Sequence, residues 1–327
     1  MNPMQNNYDF QYYHEGFFGY SLTPVFEEFS LAHIIPLLVL VAAILTVYFL
    51  RHKIAAWKGE ETLRFILGAV LIINEGFYYW RLLYVGNGGA SRLDPMLTYL
   101  PFQVCEWSAH LAAFMLMKKS RHLFDICYYI CLTLGAIPLF TPAVITYTGP
   151  TYARYYQFWI EHLIPIFAVF YMMFVHGFRA NYRKVYKPVA LLSGLCVIAI
   201  ILNMNIENAN FMYLAKGTAG DSIANILPEN IWVRLGLYVV ILAVLFFLVS
   251  LPHIIPEIKA YRAKKKTVAV AAENVAAENT AAEAAPETAN APVAAETEMA
   301  VESAETPTEM PMEMDDEIFA TPPEDIR

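Results

Sequence analysis

The sequence predicts an all-α membrane protein, a polytopic bundle of seven transmembrane helices with its N-terminus outside and its C-terminus in the cytoplasm. Three observations carry that expectation. Of 327 residues, 57% are apolar, 14% aromatic and only 16% charged, a composition far from that of soluble globular chains. Apolar stretches long enough to cross a hydrocarbon core of about 30 Å follow one another along the chain. Lys and Arg then alternate between connections: segments 51–61, 118–122, 179–187 and 259–266 hold fifteen of them, whereas the intervening connections hold three, Arg92, Arg154 and Lys216. Positive residues beside a span resist translocation, so the first set marks the cytoplasmic side.

Residues 1–30 are polar and aromatic without a basic leader, so they read as an extracytoplasmic segment and not as a cleavable signal peptide. The membrane domain then occupies 31–258, with spans at 31–50, 62–85, 99–117, 123–145, 157–178, 186–206 and 231–251. Span one opens with His33. Span two carries Asn74 and Glu75 at mid-depth and Arg81 near its outer end. Span three enters from outside, so a rise of ~1.5 Å per residue puts Cys105 and Glu106 about 10 Å below the outer boundary. Span four holds Asp125 at its inner end, Gly135 and Pro138, where a proline kink is expected, and Thr141-Pro142 at its close. Span five begins from outside and carries Glu161 and His162 at a depth similar to that of Cys105. Span six ends in Asn203, Asn205 and Glu207, before the longest connection. Residues 259–327 form a basic stretch and an acidic tail: Thr267 to Arg327 carries fifteen of the thirty acidic residues and one of the twenty-two basic ones. The acidity of the whole chain therefore resides in the tail. Its Ala, Glu and Pro repeats bury too little apolar area to offset ordering entropy, so disorder is expected there, with helix in part of the Ala/Glu portion.

Ionisable residues inside spans are costly and by default point to function. Here nearly all of them fall in the outer half of the bundle, where a Cys, two His, three Glu and several Asn converge on one polar pocket. On span three, Gln103, Glu106 and His110 share one helical stripe, and Cys105, Ser108, Ala109 and Ala112 share its neighbour. The small stripe lets another helix approach closely, which brings a span-five His toward Cys105. A thiol beside a carboxylate needs a base partner to act as a nucleophile, and His162 is placed to be that base. Cys127, Cys131 and Cys196 read as small buried apolar residues. The four cysteines match no disulfide, zinc or haem spacing, so neither a metal nor another cofactor is expected. The charge balance of the folded part excludes a strongly basic nucleic-acid binder.

These residues resemble a known family. Leu100-Pro101-Phe102-Gln103-Val104-Cys105, Thr141-Pro142, Glu161-His162 and the stretch from Asn203 to Asn210-Phe211-Met212-Tyr213-Leu214 are similar, in order and spacing, to the YwaF-type bacterial integral membrane proteins. The resemblance runs from about His33 to Pro252. It departs from the common pattern at Gln103, where a His is usual, and at Ala143, where an acidic residue is usual. That family is related to eukaryotic transmembrane acyltransferases of ether-phospholipid remodelling, and the resemblance implies an acyl-carrying Cys105 assisted by His162.

The expected activity is acyl transfer between membrane phospholipids in the cell membrane. Gln103, Glu106, His110, Glu161, Glu75 and His33 support the site, with Glu106 or Glu161 orienting the imidazole. Asn203, Asn205 or Asn210 serve as oxyanion donors, and Arg81 or Arg154 as a phosphate ligand at the outer boundary. The rival expectation is a non-enzymatic carrier or sensor that binds a small molecule in the same outer pocket. Oligomeric state leaves no mark in the sequence.

Overall fold

The computed structural model describes residues 17, 21, 23–80, 100–142, 145, 148–206, 209–214, 228 and 230–283. The features expected at Arg81, Arg92, Ala143, Glu207 and Lys216, in the first sixteen residues and beyond Glu283 lie outside the described residues. Helices follow one another as α1 (Leu31–Ala55), α2 (Glu60–Trp80), α3 (Val104–Lys118), α4 (Arg121–Leu132), α5 (Ala153–His176), α6 (Tyr186–Asn205) and α7 (Ile231–Glu283), with short 3₁₀ turns at Ile137–Leu139, Tyr182–Lys184 and Phe211–Tyr213. No strand occurs among the described residues. Five helical stretches are long and apolar enough to cross a membrane: Leu31–Ala55, Arg121–Leu139, Ala153–His176, Tyr182–Asn205 and Ile231–Ala272. The other two helices are less apolar or shorter. α2 interrupts its apolar run with Arg64, Asn74 and Glu75, and the fifteen residues of α3 reach only about 22 Å at 1.5 Å each.

Each of the two departures from the expected boundaries has a local cause. Span three was expected from residue 99, but the described chain is non-helical at 100–103 and α3 begins at Val104, because Pro101 lacks an N–H and disfavours helical geometry at the residue before it. Span four, expected as one kinked helix to residue 145, instead stops at Leu132. Thr133 leaves the helical region, the Gly135 N–H turns back to the Ile130 carbonyl at 2.9 Å, and Pro138 sits in the short 3₁₀ turn that follows. A Cβ on Gly135 would stand 3.0 Å from the Cys131 carbonyl oxygen, so the return of the chain onto α4 depends on glycine.

The chain divides into two compact units, Met1–Lys265 and Lys266–Arg327. In the first, α5 is the hub, packing against α1, α2, α3 and α4. Its buried face includes Phe158, Ile166, Ala168, Val169, Tyr171 and Met172. Small residues set the close helix pairs, as expected where lipid tails compete with side chains for apolar contact. Gly68 on α2 faces α3 so tightly that a Cβ there would lie 2.9 Å from the Ala113 carbonyl oxygen, and Ala109, Ala112 and Ala113 are buried beside it. On the opposite flank, Tyr128 of α4 donates to the Val249 carbonyl of α7 at 2.9 Å, and Tyr129 shares a 3.0 Å hydrogen bond with Ser250. α1, α6 and α7 turn Leu38, Phe49, Val197, Met204, Val240 and Phe247 outward, a surface suited to lipid. In the second unit, the described residues 266–283 are helical. This is the Ala/Glu portion, whose Ala-Ala-Glu repeats have high helix propensity.

Candidate functional site

The start of α3 builds one wall. Gln103 is its N-cap, and the Glu106 carboxylate accepts the Gln103 backbone N–H at 2.9 Å, which leaves Cys105 in the first turn. The Gln103 amide reaches the other way: its oxygen accepts the Met212 N–H at 2.8 Å, and its nitrogen donates to the Asn210 carbonyl at 3.4 Å. Gln103 therefore ties α3 to segment 209–214. That segment is conformationally unusual, with Met212 and Tyr213 at φ 54° and 52°, a left-handed geometry costing about 1–2 kcal/mol for a residue with a Cβ. Asn203 braces it from α6, donating to the Phe211 carbonyl at 3.1 Å and accepting the Phe211 N–H at 2.7 Å. Arg234 of α7, fully buried, donates to the Tyr213 carbonyl at 2.8 Å and to the Pro228 carbonyl at 2.8 Å.

α5 supplies the reactive partners. His162 Nδ1 bonds the Phe158 carbonyl one turn back at 2.8 Å, so Nδ1 carries the proton and the neutral ring keeps its lone pair on Nε2. The Phe158 ring stacks on the imidazole at 4.3 Å. One ligating atom from each of Cys105, Glu161 and His162 lies within 4.8 Å of the other two. Glu161 and His162 are buried, whereas Cys105 keeps partial accessibility. Arg154 approaches Glu161 at 3.8 Å and lies 4.4 Å over the Tyr78 ring. It is buried at the start of α5.

α2 contributes Glu75, only 5% exposed, whose Oε1 has no hydrogen-bond partner among the described residues. It interacts electrostatically with Glu161 and Arg154. Beside it, Asn74 donates to the Gln157 carbonyl at 3.2 Å and Gln157 donates to the Asn74 carbonyl at 3.4 Å, which locks α2 to α5 at the depth of the site.

Other expected site residues are engaged elsewhere. His33 accepts the Phe29 N–H on Nδ1 at 3.0 Å and therefore donates from Nε2 to the Leu139 carbonyl at 2.7 Å; it joins α1 to the 3₁₀ turn after α4. His110 returns Nδ1 to the Glu106 carbonyl of its own helix at 2.7 Å. Both polar atoms of the Asn203 amide bond Phe211, and Asn205 donates to the Ile201 carbonyl at 2.7 Å, so both brace backbone. Asn210 meets Gln103 through its carbonyl. Two residues passed over in the sequence belong here: Tyr79 and Tyr213 both interact electrostatically with Cys105, Glu106 and Glu161. Tyr213 lies within the resembling stretch, and that was the one available signal for it.

A model of the TMEM164 family matches residues 28–249, a stretch that includes every residue of the Cys105 site. No curated protein and no solved structure matches the chain.

Proposed function

The chain belongs to the TMEM164 family, and from that membership and the Cys105 site we propose a membrane-embedded acyltransferase that moves acyl chains between phospholipids through a Cys105 thioester. The observation that carries this reading is the gathering of a thiol, an imidazole whose Nδ1–H is held by the Phe158 carbonyl, and a carboxylate within 4.8 Å of one another. A nucleophile, a base and a group that orients the base form the minimal set for covalent acyl transfer.

In the first half-reaction His162 Nε2 takes the Cys105 proton, and the sulfur attacks the ester carbonyl carbon of a donor phospholipid. The tetrahedral intermediate expels the lysolipid alkoxide, which leaves with the proton from His162. The second half-reaction runs in reverse sense. An acceptor hydroxyl gives its proton to His162 and attacks the thioester carbonyl, and the Cys105 thiolate departs and is reprotonated. Negative charge on the intermediate's oxygen needs pre-positioned donors to matter. With Asn203 committed to Phe211, the hydroxyls of Tyr79 and Tyr213 are the donors of this reading. The Phe158 carbonyl orients the ring, and Glu161, 3.8 Å from Arg154, stabilises the imidazolium by charge.

The reading further places seven crossings in the cell membrane, with the N-terminus outside, the C-terminus cytoplasmic and the site opening toward the outer leaflet. The test is direct. Purified protein mixed with phospholipid acquires a hydroxylamine-labile acyl mass on the Cys105 peptide, absent from the Cys127 and Cys196 peptides and lost in Cys105→Ala. His162→Ala lowers its formation by about 10²- to 10⁴-fold, and His110→Ala by much less. Failure of wild type to acquire acyl from any lipid class supplied overturns acyl transfer and moves the carrier or sensor reading to first place.

A further inference from the structure

We infer that Cys105, His162 and Glu161, with Glu75 beside them, form a binding site for a zinc-type divalent cation. The donor set is the one such ions select: a thiol sulfur, an imidazole nitrogen and a carboxylate oxygen. The three atoms already converge within 4.8 Å from two different helices, close to the separations found around a tetrahedral ion bonded at about 2.0–2.3 Å. The imidazole is prepared in the manner of a metal ligand. Its Nδ1–H is held by the Phe158 carbonyl, which fixes the ring and aims the Nε2 lone pair, the second-shell arrangement that accompanies nearly every ligating His.

A buried acceptor supplies the independent argument. Glu75, Glu106 and Glu161 are all buried and interact electrostatically with one another and with Arg154. The Glu75 Oε1 atom is both buried and without a hydrogen-bond partner among the described residues. An acceptor stranded in low dielectric is costly, and a divalent ion held beside Glu161 draws Glu75 toward it and satisfies that acceptor. Coordination releases the thiol proton. Resting on the acyl-transfer reading, one consequence follows: a bound ion occupies both the nucleophilic sulfur and the basic nitrogen, so the loaded protein is held inactive and metal removal switches it on.

The experiment uses Co²⁺ alone as the spectroscopic probe, titrated into the full-length protein in detergent after chelator treatment. Wild type develops a sulfur-to-cobalt charge-transfer band together with the intense visible bands of a tetrahedral ion, and Zn²⁺ displaces them. Cys105→Ala loses the sulfur band and Cys127→Ala keeps it. Glu75→Gln weakens cobalt affinity by about 10- to 100-fold, the range for removing a supporting carboxylate. Absence of the sulfur band in wild type, or its persistence at full strength in Cys105→Ala, overturns the site. Acyl loading is measured separately on chelated protein. A hydroxylamine-labile adduct without a cobalt band therefore sinks the metal site and leaves acyl transfer standing, and a cobalt band without an adduct upholds the site and sinks acyl transfer.

Discussion

Glu60, at the start of α2 and outside the spans, accepts three hydrogen bonds on one oxygen: from Arg64 Nε at 2.8 Å, the Tyr171 hydroxyl at 2.9 Å and His176 Nε2 at 2.8 Å. Arg64 in turn donates to the Leu116 carbonyl at 2.6 Å, so one carboxylate joins α2, α3 and α5. Burial pushes the Glu60 carboxyl up, yet the Arg64, Tyr171 and His176 hydrogen bonds outweigh it and hold the group below its ordinary value. A folded-state pKa below the unfolded one means stabilisation that is complete above the unfolded value and lost as pH falls through the folded one. Glu60→Gln should therefore lower stability by about 3 kcal/mol at neutral pH, because it strands a buried guanidinium. The melting-temperature gap to wild type should close under acid, below the usual carboxylate range. A gap that stays constant down to acid-induced unfolding would assign Glu60 a packing role only. Only the Glu60–Arg64 spacing is local; Tyr171 and His176 lie more than a hundred positions from Glu60, so the cluster was not legible in the sequence. The same holds for Arg154, whose burial follows from Glu161 and Tyr78 and not from its place at a span end.

The helices themselves were legible, because long apolar runs leave few alternatives in a membrane. What escaped was where the chain stops being helical. Pro101 and Gly135 both carried a local signal, one misread as lying inside a span and the other as an ordinary kink. Segment 209–214 carried almost none: two left-handed residues with full side chains are held there by Gln103 at the N-cap of α3, Asn203 of α6, and Arg234 and Tyr238 of α7. Asn203 is the brace whose loss isolates this element. Asn203→Ala removes both bonds to Phe211 and should destabilise the segment locally by about 1–2 kcal/mol, a factor of roughly 5–30 in its opening equilibrium. Hydrogen exchange at the Phe211 amide should accelerate by that factor, while amides of α5 keep wild-type protection. Equal acceleration across α5 would show that the segment and the bundle open as one unit.

At the scale of the whole molecule, the site was legible in kind and not in geometry. Polar residues at similar calculated depths pointed to one layer, but the meeting of Cys105 with Glu161 and His162 depends on the small α3 face and on α5 as hub, and no linear spacing encodes it. The same absence of spacing concealed the metal-type donor set. The proposed orientation rests on charge: segments 51–61, 118–122, 179–187 and 259–266 hold fifteen of the twenty-two Lys and Arg, and a bundle that turns Phe49, Met204 and Phe247 outward needs lipid around it. Two exposed positions on opposite connections test the proposed arrangement, Thr151 before α5 and Asn181 after it. In intact cells, Thr151→Cys should react with an impermeant thiol reagent well above the wild-type background, and Asn181→Cys should react only after the cells are permeabilised. Ser303→Cys in the tail should behave like Asn181→Cys. Labelling of Asn181→Cys and Ser303→Cys from outside, with Thr151→Cys protected, would invert the bundle. Cys105 would then face the cytoplasmic leaflet, and a donor phospholipid would have to be drawn from that side.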